Sequence, residues 1–476
     1  MAGSRRLVSL APPALLAVWL CAACASQPAA PIHNAATASA ASASRVDPAG
    51  DLIAERAPSP APAPEGDVAA APAPAPEPAP EADIQAEPLA PAEAPEPEPA
   101  APEAAPETVH RPAPVYGRET GTLAGYLHGL REASCPAGTK FEAPETIGLE
   151  ARPVPVSPLN PGKKTVGDLT FVAGFHLTSP EKRFGGLSDL HFLPDGNLLA
   201  VSDEGHFVWI DLGADGVTPT AARISDLRDA HGHKLNNKTE ADSEGLAING
   251  GMVLVSFERD HRVLAYDLGD CGAAARGAPI VYDGYGLPMP EAFRVAHIKV
   301  PDNTSLEALA VTPDWYMFSG LEQEVDESGP LSARPVEAPP NFDLRVEKGA
   351  PAFVALDLVP EGGEGDVRAF TLHRGFSPLA GNAITISETD FRRRLDTPAA
   401  PSSRPSELQE RARWRYEAVK TRRLAEMNIM LTIDNFEGLA AKQLPDGSVR
   451  LFVVSDDNYS GSQRTLLMVY DLPKGG

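Results

Sequence analysis

The chain is short of positive charge. Its 41 Lys and Arg face 65 Asp and Glu, leaving a formal net charge of −24 over 476 residues. Nucleic-acid partners need basic patches to hold phosphate backbones, so this balance argues against them and is compatible with bound divalent cations. Cysteine is also scarce. Of four, Cys21 and Cys24 fall at the very start, and only Cys135 and Cys271 remain beyond it. That excludes a four-thiolate metal site or a Cys-x-x-Cys redox centre in the body of the chain. A phosphate-binding glycine loop and a dinucleotide fingerprint are both absent. One apolar run, Leu7 to Leu20, stands out, but Pro12 and Pro13 interrupt it and it is too short for a confident membrane span.

What is present at the start is a secretion signal: Arg5-Arg6, the apolar run, then small residues. Its end, Leu20-Cys21-Ala22-Ala23-Cys24-Ala25-Ser26, resembles a bacterial lipoprotein signal, which implies lipidation at Cys24 and a signal peptide over 1–24. Ala25, where Asp would retain the protein elsewhere, points by analogy to an outer-membrane lipoprotein of the periplasm or cell envelope. An ordinary cleaved leader on a secreted soluble protein is the alternative. The membrane is expected to be met through the N-terminal lipid alone. Residues 25–116 are Ala, Pro and Glu with almost no large apolar side chains, so they are expected to form a disordered tether. Its extended reach is on the order of 250 Å. Residues 117–164 form a lead-in with few strand cues. In an oxidising compartment Cys135 and Cys271 are candidates for a disulfide, or remain two thiols.

Beyond residue 165 a short pattern repeats: an acid, an apolar run, a turn, a second apolar run and another acid. Asp189 of Leu187-Ser188-Asp189-Leu190 is followed by Asp203 and Glu204. Glu244 of Ser243-Glu244-Gly245-Leu246 is followed by Glu258 and Arg259. Glu307 of Leu306-Glu307-Ala308-Leu309 is followed by Glu322. Glu437 of Phe436-Glu437-Gly438-Leu439 is followed by Asp456 and Asp457. The spacings are 14, 14, 15 and 19 residues. Turns such as Pro194-Asp195-Gly196 and Pro445-Asp446-Gly447 sit between the apolar runs, the signature of β-hairpins. A third strand ending Asp-Leu often follows, as in Val263 to Leu268 and Phe353 to Leu358. Repeated antiparallel strands predict an all-β propeller over 165–476. At about 40–45 residues per blade it would have about six blades. The charged stretch near 404–430, opened by Pro405-Ser406 with Gln409 in capping-box position, is expected to be a helical insert. In such a ring both acids of each copy crowd at one mouth of the central channel.

The words that fill this frame resemble a known family, the propeller domain named for "esterase-like activity of phytase". They are Phe184-Gly185-Gly186-Leu187-Ser188-Asp189-Leu190, Val201-Ser202-Asp203-Glu204-Gly205, Gly375-Phe376-Ser377-Pro378-Leu379-Ala380-Gly381-Asn382, Asp434-Asn435-Phe436-Glu437-Gly438-Leu439-Ala440 and Val454-Ser455-Asp456-Asp457-Asn458-Tyr459-Ser460. The resemblance implies a phytase-like fold and hydrolysis of a small phosphorylated or ester substrate, by kinship with calcium-dependent phytases. Their Asp-Asp-Pro-Ala segment is absent. Hard carboxylate oxygens suit Ca²⁺. Asp189, Asp203, Glu204, Glu258, Glu307 and Glu322 are then candidate metal ligands. Glu244, Glu437, Asp456 and Asp457 are candidate catalytic acids, with Arg259, Arg374 and Arg464 as oxyanion clamps. The bland alternative has the acids capping backbone N–H groups or pairing with arginines between blades, in a non-catalytic ligand- or protein-binding propeller of the cell envelope. Ser243 in Ala241-Asp242-Ser243-Glu244-Gly245 is a weak nucleophile candidate. His231 and His233 lack a third metal ligand. His206, beside Asp203-Glu204-Gly205, is a candidate acid or base at the same mouth.

Overall fold

A computed structural model describes residues 121–281, 304, 306–322, 329–346, 352–362, 365–377, 381–396 and 405–475. Cys24, the leader and the Ala/Pro/Glu-rich stretch lie outside the described residues. So does part of the Gly375–Asn382 motif. Among the described residues no helix is long and apolar enough to cross a membrane.

Five antiparallel sheets form among these residues. Each has an innermost strand: Leu187–Phe192, Ser243–Asn249, Leu306–Val311, Ala352–Pro360 and Asn435–Gln443, in blades one to five. These five strands contact one another in cyclic order, and the last also touches the first. The ring is therefore closed with five blades, not about six. Strands such as Leu198–Ser202 and Met252–Phe257 are buried at every position, which is why they read as unbroken apolar runs. The Pro-Asp-Gly turns behave as their residues require. Gly196 and Gly447 sit at φ +89° and +87°, and Asp195 and Asp446 accept bonds from the N–H groups of Asn197 and Ser448.

The ring closes on itself through both ends of the described chain. In blade five Leu466–Leu472 near the C-terminus pairs with Leu169–Thr178, and Glu150–Pro153 lies beyond that. From residue 121 onward the lead-in is thus structured. Its helix, Leu123–Ser134, packs on blade two, and Cys135 and Cys271 are joined there by a disulfide with Cα atoms 5.8 Å apart.

Blade four explains the miscount. It runs from Ala352 to Met427, with strands of 9, 11, 15 and 14 residues. Phe353 to Leu358, expected as a third strand, belongs to its innermost strand. The helical insert is mostly strand. Ser406 and Gln409 do form the capping box, but the helix is only Glu407–Arg411. Trp414–Met427 is the outer strand, laddered to Gly381–Leu395. Its charges are used across strands: the buried Glu388 takes Arg422 at 2.6 Å and Arg368 at 3.0 Å.

Innermost strands expose one row of backbone N–H groups to the channel. A buried chain of charges satisfies several of them. Asp189 accepts from Leu190 N (2.8 Å) and Leu246 N (2.9 Å), and from Leu439 N (3.3 Å), so it joins blades one, two and five. His191 stands 3.6 Å from Asp189 and 3.2 Å from Asp357. Asp357 accepts from Leu358 N and, in the next blade, Ala441 N, both at 2.7 Å. Burial pushes Asp189 up to about 6 against the pull of His191. Burial works against the charge on His191, but Asp357 and Asp189 more than offset it and raise the imidazole to about 10. At neutral pH Asp189 is therefore a carboxylate beside an imidazolium at His191.

Removing one link strands buried donors from three blades. Asp189→Ala should cost about 3–5 kcal/mol in chemical denaturation. Glu204→Ala, on an exposed side chain, should stay within about 0.5 kcal/mol of wild type. Equal stabilities for the two variants would remove this account of ring closure.

Candidate functional site

In every blade the register between the innermost strand and its partner slips by one residue near the strand's start. The extra residue falls at Ser188, Glu244, Glu307, Val354 and Glu437, in blades one to five. Such bulges re-aim a side chain out of the ladder. A second set of equivalent positions on the partner strands lies one residue past the partner of the residue before each bulge: Asp203, Glu258, Glu322, Arg374 and Asp456. Their backbones are fixed by matching contacts. Asp203 N donates to Gly186 O at 2.9 Å, and Glu258 N to Asp242 O at 2.8 Å. Arg374 pairs with Ala352, and Asp456 with Asn435. The two rings hold seven carboxylates. Blade four departs from the pattern twice, with Val354 for an acid and Arg374 for another.

Asp242, beside the second ring in blade two, makes an eighth carboxylate. Among the described residues, three cations are set against the eight: Arg374, Arg259 and Lys238. Arg374 donates from Nη1 to Asn435 Oδ1 at 2.8 Å, and its Nη2 lies 3.2 Å from Glu437 and 3.6 Å from Glu322. Asn435 Nδ2 donates to Glu437 at 2.6 Å. Arg259 Nε meets Asp242 at 2.5 Å, and Lys238 bridges Asp242 (2.7 Å) and Asp203 (2.6 Å). Asp242, Glu244 and Glu258 each offer an oxygen within 4.8 Å of the others.

Crowding and burial push these carboxyls upward together. Glu244 is raised by burial first, then by Glu307, Glu437, Asp242 and Glu258. Glu307 is raised by burial, then by Glu322, Glu258 and Glu437. Burial takes Glu437 to about 8 against the pull of Arg374, and takes Glu258 to about 7 with help from Asp242. Burial also lifts Asp456 to about 7, opposed by the Asn458 N–H and reinforced by Asp203. Glu322 and Asp203 are raised mainly by burial as well.

The expected residues divide. Glu244, Glu258, Glu307, Glu322, Glu437, Asp203, Asp456, Arg374 and Arg259 gather at this mouth. Asp189 does not face it: Ser188 holds the ring position, and Asp189 turns inward to the N–H groups two residues past Glu244 and Glu437. Glu204 is exposed. Asp457 clasps a loop, accepting from Gly186 N (2.9 Å), Tyr459 N (3.1 Å) and Thr465 Oγ1 (2.9 Å). Arg464 binds Asp434 at 3.0 Å and the Ile433 carbonyl at 3.1 Å. Ser243 Oγ is spent on the Ser202 carbonyl at 2.6 Å. His206 lies 3.2 Å from Asp226, and His233 lies 3.3 Å from Asp229 on an exposed loop. Asp242, Asn435 and Lys238 went unread. Aligning Asp242-Ser243-Glu244-Gly245 with Asn435-Phe436-Glu437-Gly438 would have exposed the first two as one polar position. Lys238, on a single helical turn, carries no such signal.

Residues 182–459 match the model of a family described as "Phytase-like: Esterase-like activity of phytase". No curated protein matches the chain. Among solved structures it is similar to a putative oxidoreductase (glucose dehydrogenase) from Thermus thermophilus, at 14% identity and TM-score 0.27, covering 61% of this chain and 98% of that one. It is similar also to the holo PQQ domain of pyranose dehydrogenase from Coprinopsis cinerea, at 11% identity and TM-score 0.29, covering 70% and 99%. Hydrazine synthase from Kuenenia stuttgartiensis stands at 11% identity and TM-score 0.28, covering 62% and 65%. Likenesses this distant say nothing of chemistry.

The raised carboxyls carry a signed consequence. Their folded values lie above the ordinary carboxylate range, so the folded chain binds more protons than the unfolded one between about pH 4.5 and 8. Stability is full below the unfolded values and is lost as pH rises through about 7–8. In chelator, the melting temperature should therefore fall between pH 5 and pH 8. A flat or rising profile over that window would show that the acids do not oppose one another.

Proposed function

We propose, for a chain that belongs to the phytase-like family, that the acidic mouth binds divalent cations and hydrolyses phosphoester or carboxylic ester bonds. The observation that carries this reading is the imbalance of eight converging carboxylates against three cations. All the donors are hard oxygens, with no thiolate and no imidazole in the two rings, which suits Ca²⁺ with its six to eight oxygen ligands. Asp242, Glu244 and Glu258 would hold a cation, with Glu307 and Glu322 as neighbouring donors. A bound cation supplies charge neutralisation and polarisation of the ester oxygen.

The chain's own residues do the rest. Arg374 is fixed by Asn435 and so presents a guanidinium of set orientation to an anionic oxygen. Arg259, half exposed beside Asp242, would offer a second guanidinium from blade two. Glu437 and Asp456 would accept hydrogen bonds from an attacking water. The reaction adds water across the bond: its oxygen goes to phosphorus or carbon, and the alcohol leaves with a proton. A secreted, lipid-tethered setting through Cys24 is part of the same proposal, supported by the leader's resemblance and the Cys135–Cys271 disulfide. The engagement of both terminal nitrogens of Arg374 with Asn435, Glu437 and Glu322 favours a second reading, a non-catalytic binding propeller.

Calorimetric titration of the full chain with CaCl₂ should show binding, with proton release above pH 6. Hydrolysis of p-nitrophenyl phosphate, bis(p-nitrophenyl) phosphate or p-nitrophenyl acetate should be lost in EGTA and restored by Ca²⁺. Glu244→Gln should weaken Ca²⁺ binding about 10–100-fold. Turnover indifferent to the chelator would end the metal-dependent reading. Ca²⁺ binding without turnover on any ester would favour the binding propeller.

A further inference from the structure

Beside the carboxylate mouth lies a cleft of about 530 Å³ with an unlike character. Its walls are Pro155, Phe376, Ile429, Leu431 and Ile433, with Arg464 at the end. A volume of this size falls within the range of sites for small organic ligands. Phe376 and Ile429 are 72% and 61% exposed, among the most open large apolar side chains of the described residues, and both line this one cleft. The cleft is held in place. Thr432 N donates to Val156 O at 2.8 Å, and Ser157 Oγ to Met430 O at 3.0 Å. Gly381, at φ +72°, has no side chain where Ile429 packs; a Cβ there would lie 2.5 Å from Ile429 Cγ2.

One strand, and the segment leading into another, connect this cleft with the mouth. Phe376 stands two residues past Arg374 on the same strand, so both side chains leave the same face, about 7 Å apart along it. Ile433 stands two residues before Asn435, the residue that fixes Arg374. At the junction Arg464 is held on Asp434 and on the Ile433 carbonyl. A molecule with its anionic or ester end at Arg374 would therefore lay its remaining atoms against Phe376 and Ile429. A polyol phosphate would leave these surfaces uncovered.

We infer that the mouth takes amphiphilic esters, in which an alkyl or aryl group fills the cleft beside Phe376 and the phosphate or acyl ester lies at Arg374. This rests on the hydrolase reading above, and its test separates the two. With the full chain and Ca²⁺, kcat/KM for p-nitrophenyl octanoate should exceed that for the acetate by about 10-fold or more, and octyl phosphate should exceed methyl phosphate likewise, all below their micellar concentrations. The double variant Phe376→Ser with Ile429→Ser removes only exposed side chains, and should shrink that preference about 10-fold. Equal use of long and short esters by wild type would overturn the inference while leaving the hydrolase reading intact. If no ester turns over, binding decides. A cleft as described binds anilinonaphthalene sulfonate, releases it to octyl phosphate but not to methyl phosphate, and loses this in the double variant. Octyl and methyl phosphate displacing the dye alike, or a double variant that binds it as wild type does, would refute the cleft. Loss of binding to phosphatidylglycerol vesicles in the variant, with chain-length preference unchanged, would refute it too, and would mark the patch as a membrane surface.

Discussion

The closed ring depends on a problem at its axis. Five innermost strands turn their free edges inward, and the N–H groups there have no sixth strand to pair with. Asp189, His191 and Asp357 answer this with one buried chain of alternating charge that reaches blades one, two, four and five. A single carboxylate could satisfy only its near neighbours. The imidazolium lets two carboxylates share the channel without the full penalty of like charges in a place with little water. Once the inner strands are held at this spacing, the acids that start each strand cannot move apart. The repulsion at the mouth is thus a consequence of the hub below it, and the hub's bonds are what oppose it.

Blade four decides what kind of site results. A symmetrical ring would carry ten acids. Val354 removes one and Arg374 reverses another, while Ser188 removes a third in blade one. The outcome is a mouth with two unlike sides. Around blade two, Asp242, Glu244 and Glu258 converge and suit a cation. Around blades four and five, Arg374 stands among Glu322, Glu437 and Asn435 and suits an anion. Broken symmetry sets sites suited to charges of opposite sign in one pore, which an unbroken ring of carboxylates could not do.

Much of this was legible in the residues. The Pro-Asp-Gly turns, the alternation of apolar runs and the spacing of acids pointed to a propeller with acids at one mouth, and Glu244, Glu307 and Glu437 were read correctly as equivalent. The bulge was invisible, because a one-residue slip leaves no mark in composition. That is why Asp189 was aligned with the glutamates when Ser188 is their counterpart. Blade four escaped detection for a related reason. With Val354 in the acid's place, Phe353 to Leu358 kept only its apolar run and its Asp-Leu ending, the pattern of an outer strand. Trp414–Met427 misleads through its charged, helix-forming composition: its Arg422 is used across strands on the buried Glu388, a long-range contact that composition does not show. Asp457 belongs to the same words as Asp456, yet its bonds to Gly186 and Thr465 make it a loop clasp, and only tertiary geometry distinguishes the two.

The same crowding bears on what the mouth holds. Buried carboxyls pushed to about 7 and 8 keep part of their charge neutral with protons at physiological pH. Protons and divalent cations are alternative solutions to one electrostatic problem, so each displaces the other. Lys238 and Arg259 already neutralise much of Asp242, which leaves Glu244 and Glu258 as the pair with most to gain from a cation. Arg374 supplies one fixed charge that neither protons nor metal can replace, since a guanidinium does not titrate in this range. The mouth is therefore adjustable on the side of blade two and permanent on the side of blade four. An anionic group at the mouth would meet the permanent charge whatever the pH, while the charge around blade two would shift with proton or cation occupancy.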